Sequence, residues 1–329
     1  MDAAPGDWMK TELNSQPEVW ARAADLTAER KLLPEAGDRV AVVGCGTSWF
    51  MAQSYAALRE SAGLGETDAF AASEAFVDRG YDAVVAITRS GTTSEVLELL
   101  GGLKGRIRTV GILGDLSSPL VDLADDIIGL PFADEKSVVQ TRFATTALTF
   151  LRASTGADVS ASIRDAERAI AEDVPAELVT AEQITFLGRG WTVGIAHEAA
   201  LKMRESCQAW TESYPAMEYR HGPLAIAAPG RAVWMFGDAP TGLDADIAVT
   251  GAHFENSALD PLADLVRVHR IALERSLAAG LNPDLPRNLT RSVILDARAL
   301  PLRSAMAPPY SPSTWAERTP KRGSSTRTG

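Results

Sequence analysis

Short apolar β-branched runs, each ending in a polar turn and leading into a helical pattern, recur along this 329-residue chain and limit its fold more than any other feature. Arg39–Val43 (RVAVV) leads into Gly44-Cys45-Gly46-Thr47-Ser48 and then WFMAQSYAALRE. Tyr81–Ile87 (YDAVVAI) leads into Thr88-Arg89-Ser90-Gly91-Thr92-Thr93 and then SEVLELLGGL, and Thr109–Leu113 leads into Gly114-Asp115. The pattern restarts after residue 180. Gln183–Leu187 (QITFL) precedes Gly188-Arg189-Gly190 and a long helix, and Ala232–Phe236 (AVWMF) precedes Gly237-Asp238. Strand, polar turn and helix in alternation predict α/β units with parallel sheets. The expected organisation is an N-terminal helical segment over 1–34 (helix at 8–31), a first unit over 35–155, a helical connector over 156–180 and a second unit over 181–295. A basic tail over 296–329, rich in Pro, Ser and Thr, is expected to be disordered.

Charge and cysteine content exclude several classes. A net charge of -11 leaves no basic footprint for nucleic acid. Cys45 and Cys207 form no CxxC pair, so neither a zinc cage nor a disulfide framework is implied. No run approaches the roughly 20 apolar residues of a membrane helix, and the N-terminus lacks an apolar leader core. The expectation is a cytoplasmic protein with no metal and no cofactor.

Two stretches carry chemistry. Thr88–Thr93 sets four hydroxyls and an arginine at a strand-to-helix turn, where free N–H groups and the positive helix end favour a phosphate. A helix cap needs one hydroxyl rather than four. The nucleotide-binding GxxxxGK[ST] motif is absent. The Gly44-Cys45-Gly46 turn fails the dinucleotide fingerprint, since Trp49 stands where its third glycine belongs. Its Thr47 and Ser48 suit sugar hydroxyls or a phosphate, or simply a helix cap. The second stretch is His197–Ile226. Glu198, Lys202 and Glu205 share one helical stripe, and His221 follows ahead of Gly222-Pro223 on a turn. Carboxylate, amine and imidazole suit proton transfer on a carbonyl compound. By spacing alone the stripe reads first as an exposed helix with ion pairs. His197, His253 and His269 show no ligand spacing.

In this order and spacing, GCGTS (44–48), TRSGTT (88–93), EKSVVQTRFATTAL (135–148), LGRG (187–190), EAALKMRE (198–205), EYRHGPLAI (218–226) and LPRNLTRSV (285–293) resemble a known family. The chain is similar over residues 10–295 to double sugar-isomerase (SIS) domain proteins, and in particular to the isomerase half of glucosamine-6-phosphate synthase. The resemblance implies two SIS domains, each a parallel sheet between helices in a flavodoxin-like three-layer sandwich. It implies that Thr88, Ser90 and Thr93 bind a sugar phosphate, with Arg89 replacing a glutamine, and that Thr47 and Ser48 contact the sugar. Glu205 corresponds to the base that moves a proton between C1 and C2, with Lys202 beside it. His221 corresponds to the ring-opening histidine, which the family supplies from the neighbouring subunit of a homodimer. Glu135 matches a substrate-side glutamate, and Gln140 stands where the family has a substrate-binding serine.

Two departures narrow the expected reaction. No glutaminase domain precedes these motifs and no cysteine follows Met1, so the chain is not expected to make ammonia from glutamine. The imine-forming lysine of the synthase falls at Arg291, and a guanidinium stays protonated and forms no imine. The expected substrate is a phosphorylated amino sugar, opened at C1 and deprotonated at C2 by Glu205. The expected outcome is dehydration of N-acetylglucosamine-6-phosphate by a lyase, whose acetamido nitrogen suits a site without the lysine. The alternatives are a glucosamine-6-phosphate isomerase/deaminase and a non-catalytic sugar-phosphate sensor.

Overall fold

The computed structural model describes residues 3–295; the tail expected over 296–329 lies outside the described residues. Helices α1 (Asp7–Asn14) and α2 (Gln16–Ala24) replace the single helix expected at 8–31. Ser15 separates them, Pro17 lies in the first turn of α2, and a 3-10 turn at Glu29–Leu32 follows. Next come β1 (Val40–Gly44), α3 (Thr47–Ser61), β2 (Thr67–Ala71), β3 (Ala83–Thr88), α4 (Ser94–Leu103), β4 (Arg108–Leu113) and β5 (Asp126–Gly129). Helices α5 (Arg142–Ser154), α6 (Ser160–Ala171) and α7 (Ala176–Thr180) lead to β6 (Gln183–Gly188). Then follow α8 (Thr192–Cys207), β7 (Trp210–Pro215), β8 (Ala232–Met235), α9 (Leu243–Thr250), β9 (His253–Asn256) and α10 (Pro261–Ala278).

The strands form two sheets, ordered β2-β1-β3-β4-β5 and β7-β6-β8-β9, and every pairing is parallel. The first is the flavodoxin-like order. The inner strands β1, β3, β6 and β8 are buried at every position, as strands covered on both faces must be. Both sheets lie within one compact unit, and its largest core runs from Val40 and Val85 in the first sheet to Phe186 and Trp234 in the second. Helices α3, α5, α8 and α10 pass between or beside the sheets and supply much of that core.

Each sheet's leading strand ends in a glycine under its following helix. A Cβ on Gly44 would sit 2.6 Å from the carbonyl carbon of Ser48, and one on Gly188 would sit 2.2 Å from the Thr192 carbonyl oxygen. Only glycine lets the first helical turn fold back this closely. The two sheets thus repeat the same turn geometry at β1–α3 and β6–α8.

Candidate functional site

In the first sheet the chain leaves β1 toward β2 on one side and β3 toward β4 on the other. Open α/β sheets leave a crevice at the carboxyl ends of such strands. A small polar cavity lies there, lined by Cys45, Ser48, Ile87, Thr88, Arg89, Ser90, Thr93, Val96, Gln140 and Arg291. Seven residues singled out in the sequence therefore meet around one space, although they come from segments up to 243 positions apart. Thr47, Glu135, Lys202, Glu205 and His221 are not part of its lining.

The β3–α4 turn is organised by its own hydroxyls. Thr88 Oγ1 accepts from Gly91 N at 3.3 Å, and Ser90 Oγ accepts from Thr92 N at 3.3 Å. The C-terminal segment crosses this turn. Ser94 N donates to Val293 O at 3.1 Å, and the Thr92 and Ser292 hydroxyls lie 2.9 Å apart. One helix-start N–H that could meet an anion is thus already partnered. The Gln140 Oε1 and Arg89 Nε atoms are buried and have no hydrogen-bond partner among the described residues. Both residues line the cavity.

Arg89 is fully buried and works as a brace. Its Nη1 donates to Ser137 O at 2.8 Å, and its Nη2 donates to Val138 O at 3.2 Å and to Arg291 O at 2.9 Å. Arg291 in turn pairs with Asp134 at 2.5 Å and donates to Glu135 O. Glu135 spends its carboxylate on the start of α5. It accepts from Thr141 N (2.7 Å), Thr141 Oγ1 (3.0 Å), Arg142 N (2.7 Å) and Phe143 N (3.1 Å). Such bonds satisfy the orphan donors of a helix start, so Glu135 orders the cavity wall from behind.

Helix α8 carries the titratable stripe. It approaches α3 closely at Gly194, where a Cβ would lie 2.3 Å from both Phe50 O and Ser54 Oγ. Glu198 and Lys202 are buried on α8, with Glu198 Oε1 3.5 Å from Lys202 Nζ. Lys202 also hydrogen-bonds Glu205, whose side chain is one-fifth exposed. The stripe is therefore an interior charge cluster rather than a solvated face. Burial pushes the Glu198 carboxyl up to about 8; Lys202 pulls it back, Glu205 adds to the rise, and the Thr47 hydroxyl eases it. Burial alone would lower Lys202, but Glu198, Glu205 and then Glu135 outweigh it and hold the ammonium above its ordinary range. Thr47, next to the cavity-lining Ser48, joins this cluster to the cavity. Glu198 was visible on the stripe by its i,i+4 spacing, yet nothing in the sequence showed that it would be buried. Asp134 and Ser292 had no sequence signal.

His221 is exposed and ends a 3-10 turn (Glu218–His221) whose Tyr219 is buried. His197 Nδ1 lies 2.8 Å from Ser213 Oγ, His253 Nε2 lies 3.3 Å from Glu255, and the fully buried His269 meets Gln16 at 3.4 Å. Burial and Glu95 raise the Cys45 thiol to about 11, which leaves no thiolate at neutral pH. Among the described residues no cluster of three His, Cys, Asp or Glu could hold a metal, and no helix is long and apolar enough to cross a membrane.

Comparison with known proteins places this geometry. No family model matches the chain. Glutamine–fructose-6-phosphate aminotransferase (isomerizing) of Sulfolobus acidocaldarius is 26% identical over 88% of this chain and 57% of its own length. The same-named enzyme of Neisseria meningitidis is 25% identical over 88% of this chain and 58% of its own. The chain thus spans a little over half the length of these relatives. Among solved structures, glucosamine-6-phosphate deaminase of Thermotoga maritima superposes with a TM-score of 0.73 at 22% identity, covering 87% of this chain and all of that one. The C-terminal domain of glucosamine-fructose-6-phosphate aminotransferase from Francisella tularensis gives 0.68 at 22% identity, covering 83% and 96%. In sequence the chain's homologues are the isomerase (SIS) half of glucosamine-6-phosphate synthase, and in fold it is similar to SIS phosphosugar isomerases.

Proposed function

We propose that the chain is an enzyme of phosphorylated amino sugars that removes the C2 proton of the open-chain form. One observation carries this reading. The hydroxyl-lined cavity and the Glu198–Lys202–Glu205 cluster share the first turn of α3, with Ser48 in the cavity wall and Thr47 beside Glu198. A sugar whose phosphate lies among Thr88, Ser90 and Thr93 would extend along this turn toward α8. Glu205, the least buried member of the cluster, is the base. Lys202, charged and held in the interior, stabilises the enolate as charge develops on the sugar oxygen. Electrostatic support of this kind is often the larger catalytic contribution. His221 stands exposed on its own turn, and a second copy of the chain would bring it to the sugar to open the ring, in a homodimer.

Arg291 directs the fate of the intermediate. It lines the cavity but forms no imine, and it is tied to Asp134 and Glu135. A site of this kind suits a sugar whose nitrogen is acetylated and whose enolate expels the C3 oxygen, as in dehydration of N-acetylglucosamine-6-phosphate.

The test is incubation with N-acetylglucosamine-6-phosphate and with glucosamine-6-phosphate in D2O, following the C2 proton by NMR. Exchange with a new conjugated ultraviolet absorbance supports dehydration, and ammonia release from glucosamine-6-phosphate moves the assignment to isomerase/deaminase. Binding of either sugar without exchange reduces the protein to a sensor.

A further inference from the structure

Behind the cavity wall lies a carboxyl that the proposed chemistry does not use. Glu12, on α1, is 4% exposed. Its Oε1 accepts from Lys136 N at 2.5 Å and is 3.4 Å from Ser137 N, while its Oε2 is buried with no hydrogen-bond partner among the described residues. The same short stretch is also held by Arg89, through the Ser137 and Val138 carbonyls. Glu12 and Arg89 thus both hold one loop, Glu12 through its N–H groups and Arg89 through its carbonyls, and that loop leads to the cavity-lining Gln140. We propose that Glu12 is a positioning residue for the anion cavity, holding the Lys136–Ser137 stretch behind Arg89, and that its gain or loss of a proton changes how tightly the cavity holds a dianion.

The charged groups around Glu12 set the direction. Glu135 repels its ionised form and Arg142 favours it. Arg89 feels Glu12 among its neighbouring charges. Asp284, from the C-terminal segment, accepts from Trp8 N and Met9 N at the start of α1. On α10, which packs against α1, the buried His269 meets Gln16 rather than Glu12. Burial first, then Glu135, push Glu12 up to about 7, against the pull of the two N–H groups and Arg142. Below that value Glu12 is neutral, and Arg89 faces the cavity with less opposing charge behind it. Above it, one more negative charge stands behind the wall. Glu12 acts on the charge of Arg89, which lines the cavity, and like charges repel through protein, so an anion binds less tightly at higher pH.

This inference rests on the anion-binding part of the proposed function. The test is calorimetric titration of inorganic sulfate, whose charge is constant over the range, from pH 5.5 to 8.5 on the full chain and on Glu12→Gln. In the wild type the dissociation constant rises about fivefold between pH 6 and pH 8, centred near 7. The Glu12→Gln variant keeps an acceptor for both N–H groups but cannot ionise, and its affinity stays flat. Sulfate binding that is flat with pH in the wild type, or equally pH-dependent in the variant, overturns the role of Glu12 and leaves the cavity assignment standing. A wild type that binds no sulfate at any pH overturns both. A second readout needs no variant: the Lys136 and Ser137 amide shifts of the wild type move with a midpoint near 7, and amides that stay still across that range overturn the proposal.

Discussion

The Arg89 guanidinium donates to the main-chain carbonyl of Arg291 at 2.9 Å, joining the first sheet's hydroxyl-rich turn to a segment 202 residues later. Both side chains also line the cavity, so the brace that holds the C-terminal segment is part of the wall that would meet an anion. Replacing Arg89 strips hydrogen bonds from three carbonyls at once. Arg89→Ala is expected to cost about 3 kcal/mol of unfolding free energy, read from urea unfolding. Arg89→Lys, a point charge without the fork, is expected to recover less than half of that loss.

Glu205→Gln is expected to lower C2 proton exchange by about 10³-fold while changing phosphosugar affinity less than about threefold. The measurement is NMR exchange alongside calorimetric binding. Exchange at the wild-type rate would move the base elsewhere on α8.

Lys202 is wholly buried between carboxyls, so removing its charge leaves Glu198 without its counter-ion once that carboxyl ionises, above about pH 8. Above about pH 8, where Glu198 is ionised, Lys202→Met is expected to destabilise the fold by about 3 kcal/mol, and Lys202→Met with Glu198→Gln by clearly less, because the double variant leaves no ionised Glu198 unpaired. Chemical denaturation of the four forms makes the cycle, and additive losses would show that the pair does not interact.

The same carboxyl gives stability a pH dependence. Glu198 is pushed from 4.5 to about 8 in the folded protein, so between these values the native state holds a proton that the unfolded chain releases. Stability contributed in this way is complete below about 4.5 and falls as pH rises through 8. Between pH 6 and 8.5 the wild type is expected to lose about 2 kcal/mol more than Glu198→Gln, measured by denaturant titration at each pH.

Gly194→Ala tests the contact between α3 and α8. Alanine is the better helix former by roughly 1 kcal/mol, yet its methyl would lie 2.3 Å from the Phe50 carbonyl and the Ser54 hydroxyl. Overpacking is expected to dominate, with a net loss of about 2 kcal/mol and a fall in exchange rate, because the helices that part carry Thr47 and Glu198. A rise in melting temperature would show that the two helices adjust freely.

The sequence by itself determined the inner strands. Val40–Gly44, Ala83–Thr88, Arg108–Leu113, Gln183–Gly188 and Ala232–Met235 were all legible to within a residue or two, since strands covered on both faces must be apolar throughout. Thr67–Ala71, Asp126–Gly129, Trp210–Pro215 and His253–Asn256 had no such signal, and all four are edge strands. A strand half open to solvent carries residues such as Asp68, Asp126, Glu212 and Glu255, and its place is set by its neighbour's free hydrogen-bonding edge rather than by its own composition. The candidate site divides in the same way. Spacing showed the hydroxyl-rich turn and the Glu198–Lys202–Glu205 stripe, because a turn and a helix are local. Only the tertiary structure decided that the stripe is buried, that Glu135 serves the start of α5, and that Arg291 returns to the turn of Arg89. Those outcomes depend on which helices cover the stripe and on where a segment 200 residues away comes to rest, and local spacing carries neither.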